Sequence, residues 1–122
     1  MWYRATVLQG QKTGRIIGFP TINLEASTIP DKTQTGVYSS IVKYAGTTYK
    51  GALYYGPRLV KNETKNVLEI HILDFNKEIY GEEIEFKLSR FIRVVQNFSG
   101  LEDLKHQLQI DISTVRQMDF DI

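Results

Sequence analysis

Ile84, Phe86 and Leu88 alternate with Glu83, Glu85 and Lys87. A repeat of two places one set on a core and the other in water, the signature of a half-buried strand, here running on towards Ile92. Similar short segments, each closed by a turn, make up most of the chain. Tyr3 to Leu8 reads as a first strand and Thr21 to Leu24 as a short extended piece. Val37 to Tyr44 and Thr47 to Tyr55 form a hairpin joined at Ala45-Gly46, ended by Gly56-Pro57. Val67 to Phe75 follows, with Leu68, Ile70 and Ile72 on one face and Val67, Glu69, His71 and Leu73 on the other. Turns are expected at Asn76-Lys77 and Tyr80-Gly81, and polar loops at Ser27 to Thr35 and Lys61 to Lys65.

Helical spacing appears once. Ser99 and Glu102 have the spacing of a capping box, and Leu101, Leu104, Leu108 and Val115 form the stripe that follows. Asp111 is a second candidate cap, leaving open whether Gly100 to Gln117 is continuous. Several short strands and one C-terminal helix favour a small closed or nearly closed antiparallel barrel, because closure removes exposed edges. An open sheet covered by the helix is the alternative. With 122 residues the chain is expected to be one domain, 1–122.

Charge and residue types restrict function. Fifteen Lys and Arg against fourteen Asp and Glu give a net charge of +1, which offers no basic groove for nucleic acid and no patch for an anionic membrane. A small barrel binding single-stranded nucleic acid is thereby disfavoured. The absence of cysteine excludes thiol catalysis and disulfides, and two histidines argue against a transition-metal centre. No signal-like or membrane-length apolar run is present, so a cytoplasmic location is expected.

Gly10, Gly14 and Gly18 recur every four residues, with Lys12, Thr13 and Arg15 between them. Backbone amides in such a loop can approach phosphate oxygens while the cations offset charge. Taken without the residues that follow it, the glycine spacing is weak and favours a plain surface loop. The loop is neither a Walker loop nor a dinucleotide fingerprint, since no Gly-Lys-Ser/Thr ends it and no helix follows. It runs into Phe19-Pro20-Thr21-Ile22-Asn23, where Thr21 and Asn23 point the same way on an extended chain. Their neutral oxygens suit a hard divalent cation that shares ATP phosphates; a turn and a local backbone bond are the alternative reading.

Gly18-Phe19-Pro20-Thr21-Ile22-Asn23 resembles the signature of the riboflavin kinase, or flavokinase, family. The resemblance continues through Gly36-Val37-Tyr38, Glu69-Ile70-His71-Ile72-Leu73-Asp74-Phe75, Tyr80-Gly81, Phe91-Ile92-Arg93, Phe98-Ser99, Gln107 and Asp111. It implies a six-stranded antiparallel β-barrel with a C-terminal α-helix, and an enzyme that transfers the γ-phosphate of ATP to riboflavin, giving FMN and ADP. Thr21 and Asn23 would hold Mg²⁺ or another divalent cation. Gly10, Lys12, Gly14, Arg15, Gly18, Pro20, Thr21, Asn23 and Tyr38 would bind the nucleotide. Glu69 would be the general base, accepting the proton of the attacking ribityl hydroxyl. Arg93, Phe98 and Leu101 would lie at the flavin, with core filling the alternative for Phe98. His71 shares the Glu69 face but is assigned a structural or orienting role, because Glu69 already fills the place of the base, and His106 a place on the helix surface.

Two stretches depart from the family pattern. Tyr54-Tyr55-Gly56-Pro57-Arg58-Leu59 stands where relatives have Asn-Ile-Gly and then Arg-Pro-Thr, and Val95 replaces an acidic residue. These changes bear on flavin recognition. An idle flavin- or nucleotide-binding module is therefore the competing function, with Thr21, Asn23 and Glu69 favouring catalysis. The chain contains no adenylyltransferase region, so FMN is the expected end product of a monomer acting on small molecules.

Overall fold

The computed structural model describes residues 1–9, 18–57 and 64–119. Six strands form one antiparallel sheet: β1 Tyr3–Thr6, β2 Ile22–Leu24, β3 Gly36–Tyr44, β4 Thr47–Pro57, β5 Asn66–Ile72 and β6 Glu83–Arg93. A 3-10 turn at Ala26–Thr28 follows β2, and among the described residues one helix, α1, spans Leu101–Gln117.

In the sheet order β1-β6-β3-β4-β5-β2, the two shortest strands stand at the margins. The Leu8 amide donates to the Asn23 carbonyl at 2.7 Å, an isolated bridge that joins the margins. The strand expected over Tyr3 to Leu8 thus ends as ladder at Thr6 and returns as this single bridge. The result is the nearly closed barrel rather than an open sheet, with the exposed edge removed where it would otherwise template other chains.

The β3–β4 hairpin turns at Ala45 and Gly46, both with positive φ (48° and 80°), the handedness that matches strand twist in a two-residue loop. Alternation along β5 is as expected. Leu68, Ile70 and Ile72 are buried inside the barrel with Leu53, Tyr55, Ile84 and Phe86, while Val67, Glu69 and His71 are half-buried on the outer face. In β6 the alternation inverts locally. Ser40 pairs with Leu88, but Tyr38 pairs with Phe91 and Val37 with Arg93, so two bulges turn Phe91 towards Tyr38 and then return Arg93 to the outer face.

α1 packs on the outside of the barrel. Ile112 and Val115 meet Leu73, with Phe19, Ala52 and Ile92 around them. The Lys50 ammonium donates to the carbonyls of Arg116 and Met118 at 2.9 and 2.8 Å, fastening the C-terminal end of the helix to β4. The helix is continuous, and Asp111 lies buried within it instead of capping a second turn. Its start also differs from expectation. Gly100 is the N-cap, no side chain caps the helix, and the Ser99 hydroxyl donates to the Asp103 carboxylate, so the Ser99–Glu102 capping box does not form. Leu101 is 43% exposed, so the stripe facing the barrel runs through Leu104, Leu108, Asp111, Ile112 and Val115. No helix among the described residues is long and apolar enough to cross a membrane.

Candidate active site

Strand register assembles a row of side chains across the outer face. Asn23 of β2 stands opposite Glu69 of β5, Glu69 opposite Tyr54 of β4, Tyr54 opposite Val37 of β3, and Val37 opposite Arg93 of β6. Ile22 packs against the barrel core and Leu24 lies within it, so Thr21 and Asn23 fall on the other side, with Glu69. Thr21 closes the group: its hydroxyl donates to Glu69 Oε1 at 2.9 Å. Because the hydroxyl proton points to Glu69, the oxygen lone pairs of Thr21 face away from the carboxylate.

Hydroxyl, amide and carboxylate oxygens are the donor set a hard divalent cation takes when phosphates supply the rest of its shell. Among the described residues no cluster of three or more His, Asp or Glu offers an all-protein metal cage. The neutral oxygens of Thr21 and Asn23 therefore fit a hard divalent cation that takes its remaining ligands from a bound phosphate.

Beside this group, His71 Nδ1 lies 2.8 Å from the Pro20 carbonyl oxygen, and the imidazole meets the Phe19 ring edge-on at 5.8 Å. Burial holds the imidazole below its ordinary pKa, outweighing the opposing effect of the Pro20 carbonyl. His71 is thus a largely neutral ring braced between two residues of the approach to β2. His106 is exposed on α1, as expected.

A second group forms at the other end of the row. The Arg93 guanidinium donates to both carboxylate oxygens of Asp111, from Nε at 2.9 Å and Nη2 at 2.7 Å, and from Nη1 to the Val94 carbonyl at 3.2 Å. Asp111 is 1% exposed and also accepts from Gln107 Nε2 at 3.0 Å. Phe98 lies over the guanidinium, 5.9 Å from its centre. The expected flavin residues Arg93 and Phe98 thus meet at the junction of β6, the following segment and α1. Leu101 sits exposed on the first turn of that helix.

Other expected site residues fall elsewhere. Tyr38 faces the barrel side of β3, donating to the Gln34 carbonyl at 2.7 Å and meeting the Phe91 ring at 5.3 Å, and burial raises its pKa. It does not join Thr21 and Asn23 on the outer face. Gly18 stands at the described end of its loop with φ 88°. Gly10, Lys12, Gly14 and Arg15 lie outside the described residues, as do Arg58 and Leu59.

Asp111 is the partner that sequence reasoning missed. The signal was present: Asp111 falls three residues after Leu108 and four before Val115, on the apolar stripe, where a carboxylate requires a cation. Tyr54 as the neighbour of Glu69 had no local signal, because only the β4–β5 register brings them together.

The flavokinase family model, described as riboflavin kinase, matches residues 1–119. A bifunctional riboflavin kinase/FMN adenylyltransferase of Listeria monocytogenes is 38% identical over 114 residues, covering 93% of this chain and 36% of the relative. The RNA-binding riboflavin kinase RibR of Bacillus subtilis is 35% identical over 111 residues, covering 90% of this chain and 47% of the relative. The chain therefore spans about a third to a half of the length of these relatives. A solved structure described as a macrolide-efflux protein from Streptococcus pneumoniae has a TM-score of 0.80 at 30% identity, over 97% of this chain and 39% of that one. Riboflavin kinase from Trypanosoma brucei has a TM-score of 0.65 at 21% identity, over 96% of this chain and 78% of that one, a likeness of fold. With the family match running almost end to end over this barrel and helix, the chain belongs to the riboflavin kinase family.

Proposed function

We propose that this chain phosphorylates riboflavin, with ATP as donor and FMN and ADP as products. The observation that carries the reading is the Thr21 hydroxyl 2.9 Å from Glu69, in register with Asn23: a proton acceptor beside two neutral oxygens suited to a metal-bound phosphate. Glu69 accepts the proton of the ribityl 5′-hydroxyl as its oxygen bonds to the γ-phosphorus and the bond to the ADP oxygen breaks. Magnesium, when bound with the nucleotide, supplies neutralising charge for the phosphates. Thr21 and Asn23 hold the phosphate end, and the rigid β5 strand fixes the carboxylate, so most of the rate comes from alignment.

The row also supplies a path for the flavin. Arg93 and Glu69 are three strand spacings apart, about 14 Å along the sheet. A tricyclic ring near Phe98 and Arg93 with a five-carbon tail directed along the row spans that distance. In this reading Asp111 holds Arg93 in place beneath Phe98, and Tyr54 and Val37 line the route of the tail. The chain works as a monomeric, cytoplasmic unit on small molecules. Its net charge of +1 supports no nucleic-acid partner.

The test is incubation with riboflavin, ATP and Mg²⁺, with FMN resolved by chromatography. Flavin that binds but is not converted would replace this reading with a binding module. Joint Thr21→Ala and Asn23→Ala substitution should raise the Mg²⁺ concentration needed for turnover, and an unchanged requirement removes both residues from the metal.

A further inference from the structure

β2 and β5 pair from Leu24–Leu68 to Ile22–Ile70 and then part. Continued two residues further, the register would set Thr21 opposite His71 and Pro20 opposite Ile72. Pro20 has no amide to donate, so the ladder cannot run on through it. The approach to β2 is held instead by side chains of β5. His71 takes the Pro20 carbonyl at 2.8 Å, Phe19 rests edge-on against the same imidazole, and Thr21 reaches Glu69. A carbonyl only accepts, so Nδ1 carries the proton in this bond. Phe19 is itself packed against the cluster of Leu73, Ile112 and Val115, which limits how far the ring can swing.

Pro20 and Thr21 are consecutive, so any shift of the Pro20 carbonyl moves the Thr21 hydroxyl relative to Glu69. We propose that His71 is a positioning residue whose Nδ1–H bond to the Pro20 carbonyl holds Thr21 on Glu69 and thereby sets the affinity of the site for metal-bound nucleotide. The inference rests on the kinase reading of Thr21 and Glu69. It assigns His71 no contact with substrate and no part in proton transfer.

Three variants separate positioning from packing. Asn at this position carries an N–H close to the place of Nδ1, whereas the Gln amide nitrogen lies farther out, near the place of Nε2, and Leu fills space without a donor. His71→Leu and His71→Gln should weaken Mg-ADP binding by about tenfold or more, and His71→Asn should stay within about threefold of the parent, the scale seen when a bond that orients a metal-site residue is lost or kept. Titration calorimetry reads this in each folded variant. The KM for ATP should rise in parallel while the KM for riboflavin stays put. If His71→Leu does not fold, the contrast between Asn and Gln carries the test.

Equal Mg-ADP affinity in the Asn and Gln variants overturns the inference, because the position would then matter only for shape. A parent protein that binds Mg-ADP with this pattern of variants but makes no FMN overturns the kinase reading and leaves the positioning role supported. A parent that binds no Mg-ADP overturns both.

Discussion

Replacing Asp111 by Leu should be among the most damaging single changes available to this protein. Asp111 is 1% exposed, and the Arg93 side chain that it meets with two oxygens is 13% exposed. Both charges are withdrawn from water and compensate each other. Removing the carboxylate leaves the guanidinium, among the described residues, with the Val94 carbonyl and the face of Phe98, and the Gln107 amide loses its acceptor. Breaking a buried pair from one side costs about 3–5 kcal/mol. At about 0.26 kcal/mol per kelvin of unfolding entropy for 122 residues, that is a fall in Tm of about 12–20 °C. Urea melts followed by circular dichroism would read it as a lower midpoint at unchanged slope. Asp111→Asn, which retains an acceptor oxygen, should lose less. Arg93→Met combined with Asp111→Leu should recover much of the deficit, because no charge is then stranded. A loss under about 1 kcal/mol for Asp111→Leu would refute the reasoning, since it would mean that Arg93 regains water at no cost.

Glu69→Gln should lower kcat for FMN formation by about 10²-fold or more while sparing ATP binding, measured by steady-state kinetics and nucleotide titration. Gly36→Ala should be strongly destabilising, because its Cβ would lie 2.4 Å from the Arg93 carbonyl oxygen and 2.5 Å from the Phe91 ring. Gly46→Ala, at φ 80° with nothing within 4 Å, should cost only the strain of the left-handed turn, about 1–2 kcal/mol, whereas Gly36, at φ 151°, adds crowding to strain, so thermal melts should show the larger loss at Gly36. His71 has its pKa lowered in the folded protein, so the unfolded chain takes up the proton first. Its contribution to stability is therefore complete above 6.5, declines as the pH falls below 6.5 and is gone below the folded value. Melts across that range should show this limb in the parent and a flatter one in His71→Asn.

Much of the barrel was legible along the chain because its causes are local. Alternation in Val67 to Leu73 set Glu69 opposite in sense to Leu68 and Ile70, and the structure keeps that arrangement through Ile72. The hairpin at Ala45-Gly46 needed two consecutive residues able to take positive φ between two alternating segments. The helix start misled, because Gly100 takes the N-cap, which moves Ser99 out of the place from which its oxygen would accept the Glu102 amide, and the hydroxyl donates to the Asp103 carboxylate. Its capping-box spacing was a permitted geometry, not a required one.

For the site, order in the chain identified the pieces and three-dimensional register joined them. Thr21 and Asn23 were marked as sharing a face, and Glu69 as lying outside the core, from periodicity and family resemblance. That Thr21 meets Glu69 follows from the pairing of β2 with β5, 48 residues away, which no repeat of two can encode. The same holds for Arg93 and Asp111: two bulges in β6 turn the arginine towards a helix whose own stripe buries the aspartate, and charge burial then makes each require the other. Local sequence thus determined which residues face the core or water along β5 and the first half of β6, because that depends on backbone period and solvent. Which outward residues become neighbours was decided by barrel closure and helix docking, because those are set by long-range pairing and burial across the whole fold.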